Sequence, residues 1–269
     1  MLGKRVLSGI VAVCIVILVF WVGSWLFDLA LIIISLIGIR EIYTAFSNKG
    51  INPQKAAGYI ITALFYLQHY IFEGRYDLVF ILTAIAMSMS LLVWNPSVKP
   101  VDMAVTIMGL FYPGIMLIVA SLMEDSAFIH PYYLLILSLT ATYAADTFAF
   151  FTGSLFGKHK LCPVISPKKT VEGSVGGLIG SVFFVLLVGI ILNRVYNTDV
   201  SIIHFIVIGF LGGTFSQIGD LTASAIKRFC GLKDFGNILP GHGGIMDRID
   251  SLLFVLPIIY LYSQLVLMG

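Results

Sequence analysis

The chain has 269 residues, 59% of them hydrophobic and 11% charged, and a mean hydropathy of +1.00. That composition excludes a water-soluble domain and reads as one integral-membrane domain, residues 1–269, folded as an all-α polytopic transmembrane helical bundle. A formal net charge of +2 is too small to argue for nucleic acid. Cys14, Cys162 and Cys230 form no C-x-x-C pair, so they are read as free thiols rather than a disulfide framework.

Lys4 and Arg5 precede an apolar run over 6–22 with no small-residue cleavage site after it, which predicts an uncleaved first span. A second span is expected over 25–46, with Arg40 and Glu41 in its last turns. Spans three and four are expected over 56–72 and 78–94, and His69 reads as an interfacial histidine rather than a ligand. The fifth, over 101–123, carries Pro113-Gly114, which predicts a kink that either borders a cavity or is simply packed. In the sixth, over 132–151, Ser138, Thr142 and Asp146 are four apart and share a face. A carboxylate facing lipid costs about 2.5–3.5 kcal/mol on insertion scales, so Asp146 is expected to face the interior or a hydrated cavity.

A loop over 153–172 follows, holding Lys158, His159, Lys160, Lys168 and Lys169, with Pro163 and Pro167 stiffening its path. The seventh span, over 173–193, opens with two overlapping G-x-x-x-G pairs, Gly173/Gly177 and Gly176/Gly180. Small residues at that spacing let another helix come close, within the bundle or between protomers of a homodimer. In the eighth span, from Ser201, the residues Gly212, Gly213, Ser216, Gln217, Asp220, Ser224, Lys227 and Arg228 recur at three- and four-residue steps. They form one small-and-polar face. A ninth span begins near Asp247 and Asp250 and runs to Met268. With nine spans, every Lys and Arg except Arg75 and Arg194 falls on the side of the N-terminus. The positive-inside rule therefore predicts that the N-terminus and both charged loops, near 153–172 and 228–249, are cytoplasmic at an inner (cytoplasmic) membrane.

The stretch 224–250 gathers Lys227, Arg228, Lys233, Asp234, His242, Asp247, Arg248 and Asp250 in an otherwise apolar chain. Lys and Arg can clamp phosphates, and Asp can hold a hard cation such as Mg²⁺. Phosphoryl and nucleotidyl transfer need that combination, because they rest on positioning and charge neutralisation. The run S-x-x-K-R, K-D, P-G-H-G-G, D-R-x-D resembles the signature of the phosphatidate cytidylyltransferase (CDP-diacylglycerol synthase) family. Ser166, Lys169, Thr170 and Glu172 also match that family's Ser-Pro-x-Lys-Thr-x-Glu-Gly loop.

The resemblance implies transfer of a cytidylyl group from CTP to phosphatidic acid, giving CDP-diacylglycerol and pyrophosphate, in a lipid bilayer. It implies Asp220 and Asp247 as ligands of Mg²⁺, with a second cation beside it, and Lys227 and Arg248 as further catalytic groups. Asp146, Ser166, Lys168, Lys169, Ser224, Arg228, Lys233, Asp234, His242, Gly243, Gly244 and Asp250 are the implied substrate-binding residues. Two alternatives stand beside it. A CTP-dependent lipid alcohol kinase would transfer the γ-phosphorus to a hydroxyl. A transporter would show matched repeat halves, and no internal repeat is evident.

Overall fold

A computed structural model describes residues 18–125, 130–238 and 243–267. The first expected span, apart from 18–22, lies outside the described residues, as do Cys14 and His242. Helices α1 (Ser24–Ser47), α2 (Lys55–Phe72) and α3 (Asp77–Trp94) precede α4 (Pro100–Gly109). A π-helical turn, Leu110–Ile115, and a 3-10 turn, Met116–Ile118, then lead into α5 (Val119–Asp125). Next come α6 (Tyr133–Phe156), α7 (Val171–Tyr196), α8 (Ile202–Phe229) and α9 (Met246–Tyr262), the last closed by a π-helical turn, Ser263–Leu267.

Among the described residues, seven helical segments are long and apolar enough to cross a bilayer, with Pro100–Glu124 counted as one. The chain is therefore a nearly all-α polytopic membrane protein. Lys55–Phe72 forms the expected third helix but is not among the seven.

One element departs from the all-α expectation. Lys160–Cys162 (β1) and Ser166–Thr170 (β2) pair antiparallel, with Lys160 opposite Thr170, Cys162 opposite Ser166 and an irregularity between them. The residues between Phe156 and Val171 are thus a short hairpin, not an open loop. Pro163 sits in its turn, where the missing N–H costs no ladder bond.

The described residues divide into two compact units. The first takes the chain up to Ile118 together with the described part of Phe229–Arg248. Here α1 packs against α2, α4 and the Leu110–Ile115 turn. The Tyr43 hydroxyl donates to the Thr106 carbonyl at 2.7 Å, and its ring lies where a side chain at Gly58 or Gly109 would stand. Pro113 is buried, and a methyl group at Gly38 would reach 2.8 Å from its Cβ. Regular α-helix is therefore interrupted around Pro113 by the π-helical and 3-10 turns, and this stretch packs closely against α1. His69 is buried and pairs with Asp77 at 2.8 Å.

The second unit holds Val119–Arg228 and the described part of Ile249–Gly269. Its dominant contact is α6 against α7. A Cβ at Gly173 would meet the Ala149 carbonyl at 2.8 Å, and one at Gly177 the Ala145 carbonyl at 2.7 Å. Side chains at Gly176 and Gly180 would strike Thr152 and Phe148. The glycine face thus serves a contact within one chain. Further along α7, the Ser181 hydroxyl donates to the Gly209 carbonyl of α8 at 2.8 Å.

Candidate active site

In the second unit a cavity of about 410 Å³ opens between α6, the hairpin, α7 and α8. Its construction begins at Thr170, the N-cap of α7, whose Oγ1 accepts the Gly173 N–H at 3.1 Å. Two residues on, the Glu172 carboxylate accepts the backbone N–H of Lys158 at 3.0 Å and of His159 at 3.2 Å. It also pairs with His159 Nδ1 at 2.6 Å. The start of α7 therefore ties back the entry to β1, and the hairpin is held at both ends. Val171 completes the closure by donating its N–H to the His159 carbonyl at 2.9 Å.

The hairpin brings Lys168 and Lys169 to the cavity, and α8 brings Gln217 and Asp220. Lys169 Nζ forms an ion pair with the Asp220 carboxylate. Gln217 is fixed from both ends. Its Oε1 accepts the Ser174 hydroxyl, and its Nε2 donates to the Ser174 carbonyl at 3.1 Å. Ala149, Phe150 and Leu161 line the same cavity. The cavity thus combines ionic and apolar side chains.

The polar stripe of α6 divides in two. Ser138 and Thr142 are buried and return their hydroxyls to the carbonyls of Leu134 and Ser138, at 2.8 and 2.9 Å. Asp146, one turn further, lines the cavity, as its cost in lipid requires. Asp250 is 7% exposed, and Asp220, Lys227 and Asp146 all act on it electrostatically. Lys227 is buried at the end of α8, while Arg228 is exposed and donates its Nε–H to the Ile165 carbonyl at 3.3 Å. Ser224 is half-buried on α8, and Ser166 is half-buried at the start of β2.

The remaining expected residues among those described belong to the first unit. The Asp247 carboxylate accepts the backbone N–H of Phe235 at 2.8 Å and of Gly244 at 3.0 Å. Gly243 has a φ of +84°, a conformation that favours glycine. Lys233, Asp234 and Arg248 are exposed. Cys230 is buried, which pushes its thiol up from the ordinary range, with Lys49 acting in the opposite sense.

Three features of these units were not singled out as site residues from the sequence. Gln217 stood only as one position on a small-and-polar helix face, and its partner Ser174 lies among the glycines that open α7. Glu172 matched the loop pattern without a role. Glu41 stood as an ordinary charge at a helix end.

In the second unit the Asp220 carboxylate holds a cationic group, the Lys169 ammonium. Among the described residues no three His, Cys, Asp or Glu side chains form a cluster that would hold a metal ion. A cation bound here would draw on one or two carboxylates and on substrate oxygens, the usual habit of Mg²⁺.

Residues 3–266 match the model of the cytidylyltransferase family. A protein of Synechocystis sp. named phosphatidate cytidylyltransferase is 30% identical over 289 aligned positions, covering 98% of this chain and 97% of that one. The chloroplastic phosphatidate cytidylyltransferase 4 of Arabidopsis thaliana is 31% identical over 292 positions, covering 98% and 73%. The phosphatidate cytidylyltransferase of Bacillus subtilis is 46% identical over 118 positions, covering 44% and 42%. A match that runs nearly end to end, over a chain whose polar residues gather as described, means that this protein belongs to the cytidylyltransferase family.

Proposed function

We propose that the protein transfers a cytidylyl group from CTP to phosphatidic acid, giving CDP-diacylglycerol and pyrophosphate. The observation that carries this reading is a cavity lined both by Lys168, Lys169 and Asp220 and by Ala149, Phe150 and Leu161, which suits an anionic group carried on a lipid. Family membership supplies the reaction class.

The lipid phosphate oxygen attacks the α-phosphorus of CTP in line, and the bond to the β-phosphate oxygen breaks, releasing pyrophosphate. A phosphate monoester is largely ionised near neutral pH, so the attacking oxygen needs no general base. Lys168 and Lys169 are suited to hold phosphate oxygens, Lys169 by exchanging its carboxylate partner for phosphate. Lys227, Arg228, Lys233 and Arg248 are the further cations proposed for the triphosphate and lipid phosphate. Ser166, Ser224, Asp234, His242, Gly243, Gly244 and Asp250 would shape the nucleotide pocket, and Asp146 would border it. Asp220 and Asp247 are the proposed Mg²⁺ ligands, with room in the proposal for a second cation. When bound, the metal would neutralise charge on the attacking and departing phosphates.

We further propose nine spans with a cytoplasmic N-terminus, an active site facing the cytoplasm across an inner membrane, and a homodimer in the bilayer. The test uses purified protein in lipid nanodiscs. CDP-diacylglycerol and pyrophosphate should form only when CTP, phosphatidic acid and Mg²⁺ are all present. Asp220→Asn should abolish turnover in a protein that still inserts and folds. Release of CDP with a diacylglycerol acceptor would contradict the proposal.

A further inference from the structure

On the reading that the protein is a cytidylyltransferase, we infer that Glu41, on α1, is a positioning residue for the 234–248 signature segment. It lies about two hundred residues from that segment in the chain, yet its carboxylate holds the start of α9. The first N–H groups of a helix have no intrahelical acceptor. Here the Ile245 N–H donates to Glu41 Oε1 at 3.1 Å, and the Met246 N–H donates to Oε2 at 2.8 Å. Glu41 is itself 4% exposed and Met246 is fully buried, so water offers no ready substitute. An N–H left without a partner at such depth is costly. A carboxylate at a helix N-terminus is also favoured by the helix dipole.

The segment is shaped around this side chain. A Cβ at Gly236 or at Gly244 would collide with the Glu41 carboxylate oxygens. Glycine at both positions lets two separate parts of the loop close on one side chain. The same Gly244 donates its N–H to Asp247, which also receives the Phe235 N–H. Glu41 and Asp247 therefore grip the same short piece of backbone from two directions. What Glu41 fixes is the rotation with which α9 begins, and with it the direction in which Asp247 and Arg248 leave the backbone. It touches no reacting atom. Its effect on the reaction passes through those two residues, so it belongs in kcat more than in ground-state binding.

The experiment compares wild-type protein with Glu41→Ala, Glu41→Gln and Gly236→Ala, each assayed below its own thermal midpoint as membrane-inserted protein with a cooperative unfolding transition. The first readout, made without any substrate, is hydrogen–deuterium exchange of peptides covering 243–249. Removing the acceptor should speed exchange at Ile245 and Met246, most in Glu41→Ala and less in Glu41→Gln, which keeps one acceptor oxygen. The second readout is turnover. A misplacement of about 1 Å at a reacting centre lowers kcat by roughly 10- to 100-fold, with KM for CTP held within about twofold. Gly236→Ala, which pushes on the carboxylate instead of removing it, should give the same pattern. Wild-type exchange in Glu41→Ala overturns the positioning claim. Faster exchange with wild-type kcat overturns its importance for the reaction. If wild-type protein itself turns over no CTP, the cytidylyltransferase reading fails while the exchange result still decides the role of Glu41.

Discussion

Putting a side chain on Gly177 is the most direct test of how α6 and α7 are held together. A Cβ there would lie 2.7 Å from the Ala145 carbonyl oxygen, 3.0 Å from the Ala149 Cβ and 3.4 Å from the Ala149 nitrogen. Two of these three neighbours are backbone, which cannot swing aside as a long side chain can. To reach an ordinary contact, the new methyl must retreat by roughly 0.7 Å, and only a shift of one helix against the other provides that. Overpacking of this kind costs about 1–3 kcal/mol. Replacing a helical glycine by alanine recovers at most about 1 kcal/mol in backbone entropy, so Gly177→Ala should be mildly destabilising. Gly177→Leu adds three more carbons to the same clash and should lower the thermal midpoint in detergent by roughly 5–10 °C. Val175, on the same helix but exposed, provides the control: Val175→Leu should leave the midpoint unchanged. If Gly177→Leu unfolds at the wild-type temperature and keeps the wild-type oligomer size, the packing argument is wrong.

Lys169→Ala removes an ammonium whose charge-assisted bonds are worth about 1.5–3 kcal/mol, so KM for CTP or for phosphatidic acid should rise about tenfold or more. Wild-type kinetics in that variant would reduce the hairpin to a topological loop. Thr170→Ala deletes the N-cap of α7 and should cost about 1 kcal/mol of stability. The same midpoint assay checks it, and an unchanged midpoint counts against the cap. Cysteine labelling tests the orientation. With Cys14 and Cys230 changed to Ser, Cys162 should resist a membrane-impermeant maleimide on intact cells and react after permeabilisation. Reaction in intact cells would place the hairpin outside.

The apolar runs between charged breaks made most helices legible, because a bilayer admits little else for twenty apolar residues. Pro113 announced a break in regular α-helix, since a proline in a helix interior must break a backbone hydrogen bond. The hairpin was not legible. Ser166-Pro-Lys-Lys-Thr170 has no apolar alternation, and its pairing with Lys160–Cys162 rests on Glu172 and Thr170 closing its ends. The glycines of α7 foretold close approach but not the partner, because a small-residue spacing says nothing about which helix arrives. Asp146 was correctly read as needing a polar setting, whereas Ser138 and Thr142 satisfy their hydroxyls within α6 and have no part in the cavity. Glu41 was hidden for a different reason. A lone carboxylate near a helix end looks like an interfacial charge until the loop that folds over it is seen.

The claim that organises the rest is that the α-phosphorus of CTP goes to the lipid. Two parallel incubations test it directly, one with CTP labelled at the α-phosphorus and one with CTP labelled at the γ-phosphorus, each with phosphatidic acid and Mg²⁺ in nanodiscs. The α label should enter the organic phase with the lipid, and the γ label should leave as pyrophosphate. The γ label appearing in the lipid, with the α label left in CDP, would contradict cytidylyl transfer and make the protein a CTP-dependent kinase.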